Sequence, residues 1–339
     1  MAETIQSLPL YGLALIIAVM LFVLVRGADV LVDGASSVAY RFGVPEVIVG
    51  ATIVSLGTTS PEAAVSVMAA WAGKPGLALG NAVGSVVADT ALIFGLCSML
   101  TVIKADRFVL ARQGWLQFGS GVLLALLCYS AWYLSGDEAT LGRPIGALLL
   151  ALLAVYLVVS IRWSRQYVGE PTAAREQHTL LVMVAMVGGG LLLVCGASHV
   201  LIEAVSELAL RLGLPRVVIA ATFVAFGTSL PELMVGISAV RHGHADLLVG
   251  NVVGADILNV LFVIGASAIA APLPIVDVTS ASPHLFLVLH LPAMLLVLIM
   301  FRVFIAMANR SGAFSRWMGA PLLASYVVYL VAQFVVGRG

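Results

Sequence analysis

The sequence predicts an all-α polytopic membrane protein: ten transmembrane helices in two inverted five-helix repeats, with helices 2 and 7 broken. Three observations carry this reading. First, the 339 residues are 61% hydrophobic and only 10% charged, with mean hydropathy +1.10, whereas a soluble domain has about 25% charged residues. Second, the apolar runs are long enough to cross a bilayer, which takes about 20 residues each, and the connections between them are short. Third, one stretch occurs twice. Ser55-Leu56-Gly57-Thr58-Thr59-Ser60-Pro61-Glu62 returns as Ala225-Phe226-Gly227-Thr228-Ser229-Leu230-Pro231-Glu232, 170 positions later.

The expected spans cover 10–40, 46–72, 77–103, 114–134, 142–163, 179–211, 216–241, 246–271, 284–304 and 318–336. The first and sixth are long enough to run obliquely. The segment before the first span, Met1–Pro9, lacks the positive start of a signal peptide, so that span is expected to be retained. The chain divides into a first repeat (1–164), a short linker (165–178) and a second repeat (179–339). The linker, with Arg165, Glu170, Arg175 and Glu176, is too short for a folded domain. Cys97, Cys128 and Cys195 all lie in apolar runs without CxxC spacing, and read as small core residues. A formal net charge of 0 gives no reason to expect a nucleic-acid partner.

Five spans per half is an odd number, so the halves must insert in opposite orientations, the plan of inverted-repeat transporters. The repeat extends beyond the doubled stretch. Arg41-Phe-Gly-Val-Pro45 matches Arg211-Leu-Gly-Leu-Pro215, and the run Gly80 to Asp89 matches Gly250 to Asn259. Eleven of the 17 Lys and Arg residues fall in the odd-numbered loops and five on the other side, with Arg26 inside the first span. The positive-inside rule then makes the odd loops cytoplasmic and leaves both termini outside. A multi-pass plasma (inner) membrane location is expected.

The doubled stretch is costly in lipid. Pro61 and Pro231 lack an N–H and clash with the carbonyls of Gly57 and Gly227, so each helix must break and its freed backbone groups need partners. A carboxylate near mid-bilayer costs about 2.5–3.5 kcal/mol on insertion scales. Glu62 and Glu232 could each merely cap the half-helix that follows, where the dipole favours an anion. Their twofold occurrence favours a cation site, because the broken helices of an inverted repeat meet near the midplane. Thr58, Thr59, Thr228 and Ser229 offer hydroxyls beside them, which could equally re-satisfy the kinked backbone. Two carboxylates with hydroxyl and carbonyl oxygens make a hard donor set suited to Ca²⁺ or Na⁺.

The partner spans carry Asn81, Ser85 and Asp89 at i, i+4 and i+8, on one helix face. The second copy has Asn251, Ala255 and Asn259. Asn81 and Asn251 read as interhelical glue. Asp89, with Asn259 by symmetry, reads as ion-binding, since an unpaired aspartate at that depth is otherwise hard to justify. Gly80, Gly84, Gly250 and Gly254 would let another backbone approach. Arg26 and Asp29 read as an i,i+3 ion pair; Asp33, His199, Glu203 and Glu207 read as polar residues near span ends. Asp256 has no counterpart in the first copy, where Val86 stands. It reads as an extra ligand or an inward-facing rim charge.

Gly-Thr-(Thr/Ser)-x-Pro-Glu followed by Gly-Asn-x-x-Gly-(Ser/Ala), in two copies, resembles the Ca²⁺/cation antiporter superfamily, and within it the prokaryotic-type sodium/calcium exchanger family. The resemblance covers almost the whole chain. It implies exchange of Ca²⁺ against Na⁺ by alternating access, with the long helix pair sliding against an eight-helix core. It implies that Glu62 and Glu232 are the central acidic ligands, that Asp89 and Asn259 complete the middle of the site, and that Thr58, Thr228 and Ser85 supply oxygens to sodium. The chain departs from the family in three places. Ala255 stands where a serine is common, Asp89 and Asn259 reverse the usual prokaryotic order, and Asp256 stands where asparagine is often found.

Ca²⁺ and Na⁺ are then transported substrates, with no cofactor and no enzymatic activity. Three close carboxylates in a dry site cannot all stay charged without cations, so each ion load neutralises the site and permits the switch. An H⁺/Ca²⁺ exchanger could use the same carboxylates, and Mn²⁺, Mg²⁺ or K⁺ remain possible ions. A cation channel would more often need rotational symmetry around a pore. Gly254-Ala255-Asp256 alone does not make an intramembrane aspartyl protease. The oligomeric state is not legible.

Overall fold

The computed structural model describes residues 5, 8–104, 107–166, 178–211, 225–277 and 282–336. In chain order its helices are α1 (Leu10–Phe42), α2 (Glu46–Thr58), α3 (Ser60–Trp71), α4 (Pro75–Leu100), α5 (Arg107–Ser135) and α6 (Arg143–Gln166). The second half supplies α7 (Leu180–Arg211), α8 (Ala225–Thr228), α9 (Leu230–Arg241), α10 (Ala245–Ala270), α11 (Phe286–Ser311) and α12 (Gly319–Val336).

Seven helices among the described residues are long and apolar enough to cross a membrane alone: α1, α4, α5, α6, α7, α10 and α11. The chain is a multi-pass membrane protein. Of the other three expected spans, two are broken and the last is a single short apolar helix. The second is split at Thr59 into α2 and α3. The seventh is split at Ser229 into α8 and α9, and its first part, 216–224, lies outside the described residues, as do 167–177 of the linker. The tenth, α12, is 18 residues long.

At 1.5 Å per residue, α1 with 33 residues and α7 with 32 each extend about 50 Å, well beyond a hydrocarbon core of roughly 30 Å. They pack along one another through small residues. A Cβ at Gly190 of α7 would lie 2.8 Å from the Leu31 backbone, and one at Gly34 of α1 2.8 Å from Met186 Cβ. Without water to drive apolar surfaces together, close backbone approach supplies the dispersion contacts that hold such a pair.

The remaining helices form the core. Phe94 of α4 is fully buried between Phe301 of α11 and Phe314, with edge-to-face rings at 4.7 and 5.0 Å. Two-residue strand pairs clip the loops at the helix ends. β1 (Ile103–Lys104) pairs antiparallel with β4 (Ala313–Phe314), and β2 (Thr140–Leu141) with β3 (Leu273–Pro274). Each clip joins one half of the chain to the other.

The expected Arg26–Asp29 ion pair does not form. Asp29 accepts a hydrogen bond from Ser238 of α9 at 2.7 Å and faces His242 at 3.8 Å. The Arg26 guanidinium instead lies over the Phe22 ring, 5.8 Å from its centroid. A tertiary hydroxyl donor thus displaced a local i,i+3 contact, which contributes only about 0.2–0.5 kcal/mol on a helix surface.

Candidate cation site

Both breaks fall where proline requires. Thr59 (φ −79°, ψ −5°) and Ser229 (φ −90°, ψ 8°) sit near the bridge region, and Pro61 and Pro231 occupy the first turn of α3 and α9. That turn has no intrahelical acceptor for its N–H groups, so proline's missing donor is harmless there. Glu62 and Glu232 come directly after, in the same first turn. Each is 1% exposed.

The neutral oxygens around the breaks are arranged with twofold reciprocity. Thr58 donates to Asn251 Oδ1 at 3.4 Å, and its equivalent Thr228 donates to Asn81 Oδ1 at 3.5 Å. Asp89 and Asn259, equivalent to each other, meet directly: Asn259 Nδ2 donates to Asp89 Oδ2 at 3.4 Å. A residue can touch its own counterpart only at a symmetry axis, as in a self-complementary twofold interface. The pseudo-twofold therefore passes through this pair. Thr59 reaches Glu232 Oε1 at 3.5 Å, and Ser229 reaches Ser85 Oγ at 3.5 Å. Glu62, Thr58, Thr59, Ser85, Asp89, Thr228, Ser229, Glu232 and Asn259 are all buried.

Among the described residues, none of these carboxylates forms an ion pair with a protein cation. Glu62 lies within electrostatic reach of Glu232 and Asp89, and Asp89 within reach of Glu232. Neither Glu62 oxygen has a hydrogen-bond partner on another residue, and Glu232 Oε2, Asp89 Oδ1 and Asn259 Oδ1 also lack one. The Glu62 carboxylate also lies near its own first-turn N–H, a dipole that offsets only part of its charge. Orphaned acceptors at this depth are the expected mark of a site that a cation completes. Among the described residues no three His, Cys, Asp or Glu side chains close around one metal-sized point. The donors available are carboxylates mixed with hydroxyl and amide oxygens, a hard set of the kind Ca²⁺ and Na⁺ take.

Asn81 bridges helices as expected, whereas Asn251 accepts one bond, from Thr58, and its Nδ2 is buried without a partner. Besides accepting from Thr228, Asn81 donates to Ser66 Oγ at 3.0 Å and to the Glu62 carbonyl at 3.4 Å. The Ser55 carbonyl, 3.3 Å away, is an alternative acceptor for the single Thr58 hydroxyl proton, and it already accepts the Thr59 N–H at 2.8 Å. Gly250 and Gly254 allow α2 to lie on α10. A Cβ at Gly254 would stand 2.5 Å from Ala51 Cα, and one at Gly250 would meet the Val47 carbonyl. The equivalent neighbours of Gly80 and Gly84 would lie in 217–224, outside the described residues.

Two features were not anticipated. The helix widens to π geometry over Ala88–Phe94 in α4 and Asn259–Ile264 in α10, at equivalent places that contain Asp89 and Asn259. Such turns free backbone carbonyls and recur at functional sites. Secondly, Gln117 of α5 and Thr90 both donate to Asp256 Oδ2, Gln117 at 2.5 Å. A glutamine pair in an apolar span, Gln113 and Gln117 at i,i+4, was the available sequence signal. Asp256 is therefore not a rim charge; it is 1% exposed.

Similarity to known proteins follows the same lines. The profile of the family described as "Sodium/calcium exchanger protein" matches residues 12–162 and 182–335. The inner membrane protein YrbG of Escherichia coli (strain K12) is 32% identical over 334 residues, covering 96% of this chain and 97% of its own. The sodium/calcium exchanger MaX1 of Methanosarcina acetivorans is 28% identical, covering 95% and 98%. Among solved structures, the sodium-calcium exchanger NCX_Mj superposes with a TM-score of 0.79 at 24% identity, over 95% of this chain and 99% of that one. With both repeats inside the matched residues and near-complete coverage in both directions, this chain belongs to the sodium/calcium exchanger family.

Proposed function

We propose that this protein exchanges Ca²⁺ for Na⁺ across a plasma membrane by alternating access, binding the ions at mid-membrane between its two broken helices. The observation that carries this is that Glu62, Glu232 and Asp89 lie buried within electrostatic reach of one another, with orphaned oxygens and, among the described residues, no ion-pairing cation. Glu62 and Glu232 are the central ligands. Asp89 and Asn259 close the middle, and Thr58, Thr59, Thr228, Ser229 and Ser85 add neutral oxygens. Each ion load, Ca²⁺ or several Na⁺, offsets the carboxylate charge in turn. Only a neutralised site can pass through the low-dielectric closed state, so the two loads exclude one another and are coupled.

The halves 1–164 and 179–339 act as the two inverted repeats, joined by the linker 165–178. The loop charge asymmetry supports a topology with both termini outside the cytoplasm.

Reconstituted vesicles test this. A Na⁺ gradient should drive ⁴⁵Ca²⁺ uptake, and Glu62→Gln or Glu232→Gln should abolish it. Full flux in either variant refutes the assignment. Uptake driven by a pH gradient and indifferent to Na⁺ would make protons the counter-ion.

A further inference from the structure

The second copy of the repeat carries a polar cluster that the first copy lacks. Asp256 stands three residues before Asn259, on the same face of α10. Its counterpart in the first half is Val86, and the counterpart of its partner Thr90 is Val260; both valines are buried. The cluster thus breaks the twofold at one flank of the site.

Its wiring is directional. Thr90 and Gln117 both place their donors on Asp256 Oδ2, and Gln117 Nε2 also reaches Thr90 Oγ1 at 3.2 Å. These contacts fix the carboxylate plane and leave Oδ1 buried without a partner. Asp89 lies within electrostatic reach of Asp256 and has its own free Oδ1. Asn259, bonded to Asp89 Oδ2, presents a third free acceptor, Oδ1. The donors on Asp256 are dipoles, not charges. Among the described residues, Asp256 takes part in none of the Arg or His ion pairs. A charge in the bilayer interior needs a partner, and here three buried oxygens on α4 and α10 lack one.

We propose that Asp256, oriented by Thr90 and Gln117 and joined by the free oxygens of Asp89 and Asn259, binds one additional monovalent cation, Na⁺ or K⁺, beside the central site. Asp256 adds one charge to the site, Asn259 a neutral oxygen, and the Asp89 carboxylate is shared with the central load, so the added charge suits a monovalent ion. Asp256 thereby raises the number of monovalent ions each protein molecule holds. The inference rests on the central-site reading only in sharing Asp89 and Asn259.

The test counts bound ions. Purified full-length protein in nanodiscs is equilibrated with ²²Na⁺ or with ⁸⁶Rb⁺, a K⁺ surrogate, in wild type and Asp256→Asn. The variant should bind one monovalent ion fewer per chain, and whichever isotope shows the loss identifies the ion. Equal counts for both isotopes overturn the proposal. Should Asp256→Asn fail to elute as wild type on size exclusion, Thr90→Val takes its place: it frees Asp256 from one donor and should weaken monovalent binding several-fold. Unchanged count and affinity in Thr90→Val would likewise overturn it. Glu62→Gln, assayed for ⁴⁵Ca²⁺ binding in parallel, separates the two readings. Retained Ca²⁺ binding there sinks the central site whatever the Asp256 count.

Discussion

Asn259 and Asp89 offer a sharp test of the charge argument, because they are equivalent by sequence and touch in space. Asn259→Asp keeps the side chain's shape and replaces an amide donor with a second carboxylate. At their 3.4 Å separation and an effective dielectric near 20, two unit charges repel by about 5 kcal/mol. In cation-free protein that repulsion strains the folded state, and a bound cation removes it. Ligand stabilisation follows RT ln(1 + [L]/Kd), so the rise in unfolding midpoint on adding Ca²⁺ should grow with carboxylate count. The expected order is Asn259→Asp, then wild type, then Asp89→Asn. The double variant Asp89→Asn/Asn259→Asp moves the charge across the axis without changing the count, and should return to the wild-type shift. Thermal unfolding in nanodiscs at alkaline pH, where proton uptake competes least, measures all four. Equal shifts in all variants, or a double variant no better than Asp89→Asn, would refute the reasoning.

Packing and hydrogen bonding give three further tests. Gly254→Ala places a Cβ 2.5 Å from Ala51 Cα, and since backbone cannot rotate away, the overpacking should cost roughly 1–3 kcal/mol. Gly119→Ala, with no heavy atom of another described element within 4 Å of its Cβ, should be neutral or slightly stabilising through helix propensity; comparison of their thermal midpoints checks both. Tyr156→Phe removes the hydroxyl that donates to the Ala51 carbonyl at 2.9 Å and should cost about 1–3 kcal/mol by orphaning a buried acceptor, read as a lower midpoint than wild type.

How much of this was legible depends on whether the cause was local. Pro61 and Pro231 placed the breaks to within one turn, the reach of proline's missing donor and ring clash, and the structure sets them at Thr59 and Ser229. The doubled spacing of Asn81, Ser85 and Asp89 with Asn251, Ala255 and Asn259 placed the partner face correctly, since helical periodicity is also local. The π turns were not legible: Ala88–Phe94 and Asn259–Ile264 read as ordinary apolar helix, and only tertiary packing selects the wider turn. Asp29 was misassigned because its partner, Ser238, lies 209 residues away. Asp256 could not be settled because Gln117, which fixes it, is 139 residues distant on another helix.

The repeats are equivalent in sequence but not in their contacts with the long helices, and the difference has a mechanical meaning. At the first break, the space above Gly57 is filled by Leu191 of α7; at the second, the space above Gly227 is filled by Ile202, also of α7. Perfect twofold symmetry would instead pair Gly227 with Leu21 of α1, the equivalent of Leu191. The α1–α7 pair is therefore displaced relative to the pseudo-twofold that the Asp89–Asn259 contact defines. Applying that twofold to the observed contacts generates a second arrangement with the opposite displacement, in which Leu21 covers Gly227 and Val32 covers Gly57. Both arrangements leave Glu62, Glu232, Asp89 and Asn259 in place. Close contacts at Gly34 and Gly190 bind the pair tightly along its own seam. The pair can move as a unit over the two breaks, and the glycines there are the positions where one large side chain can replace another.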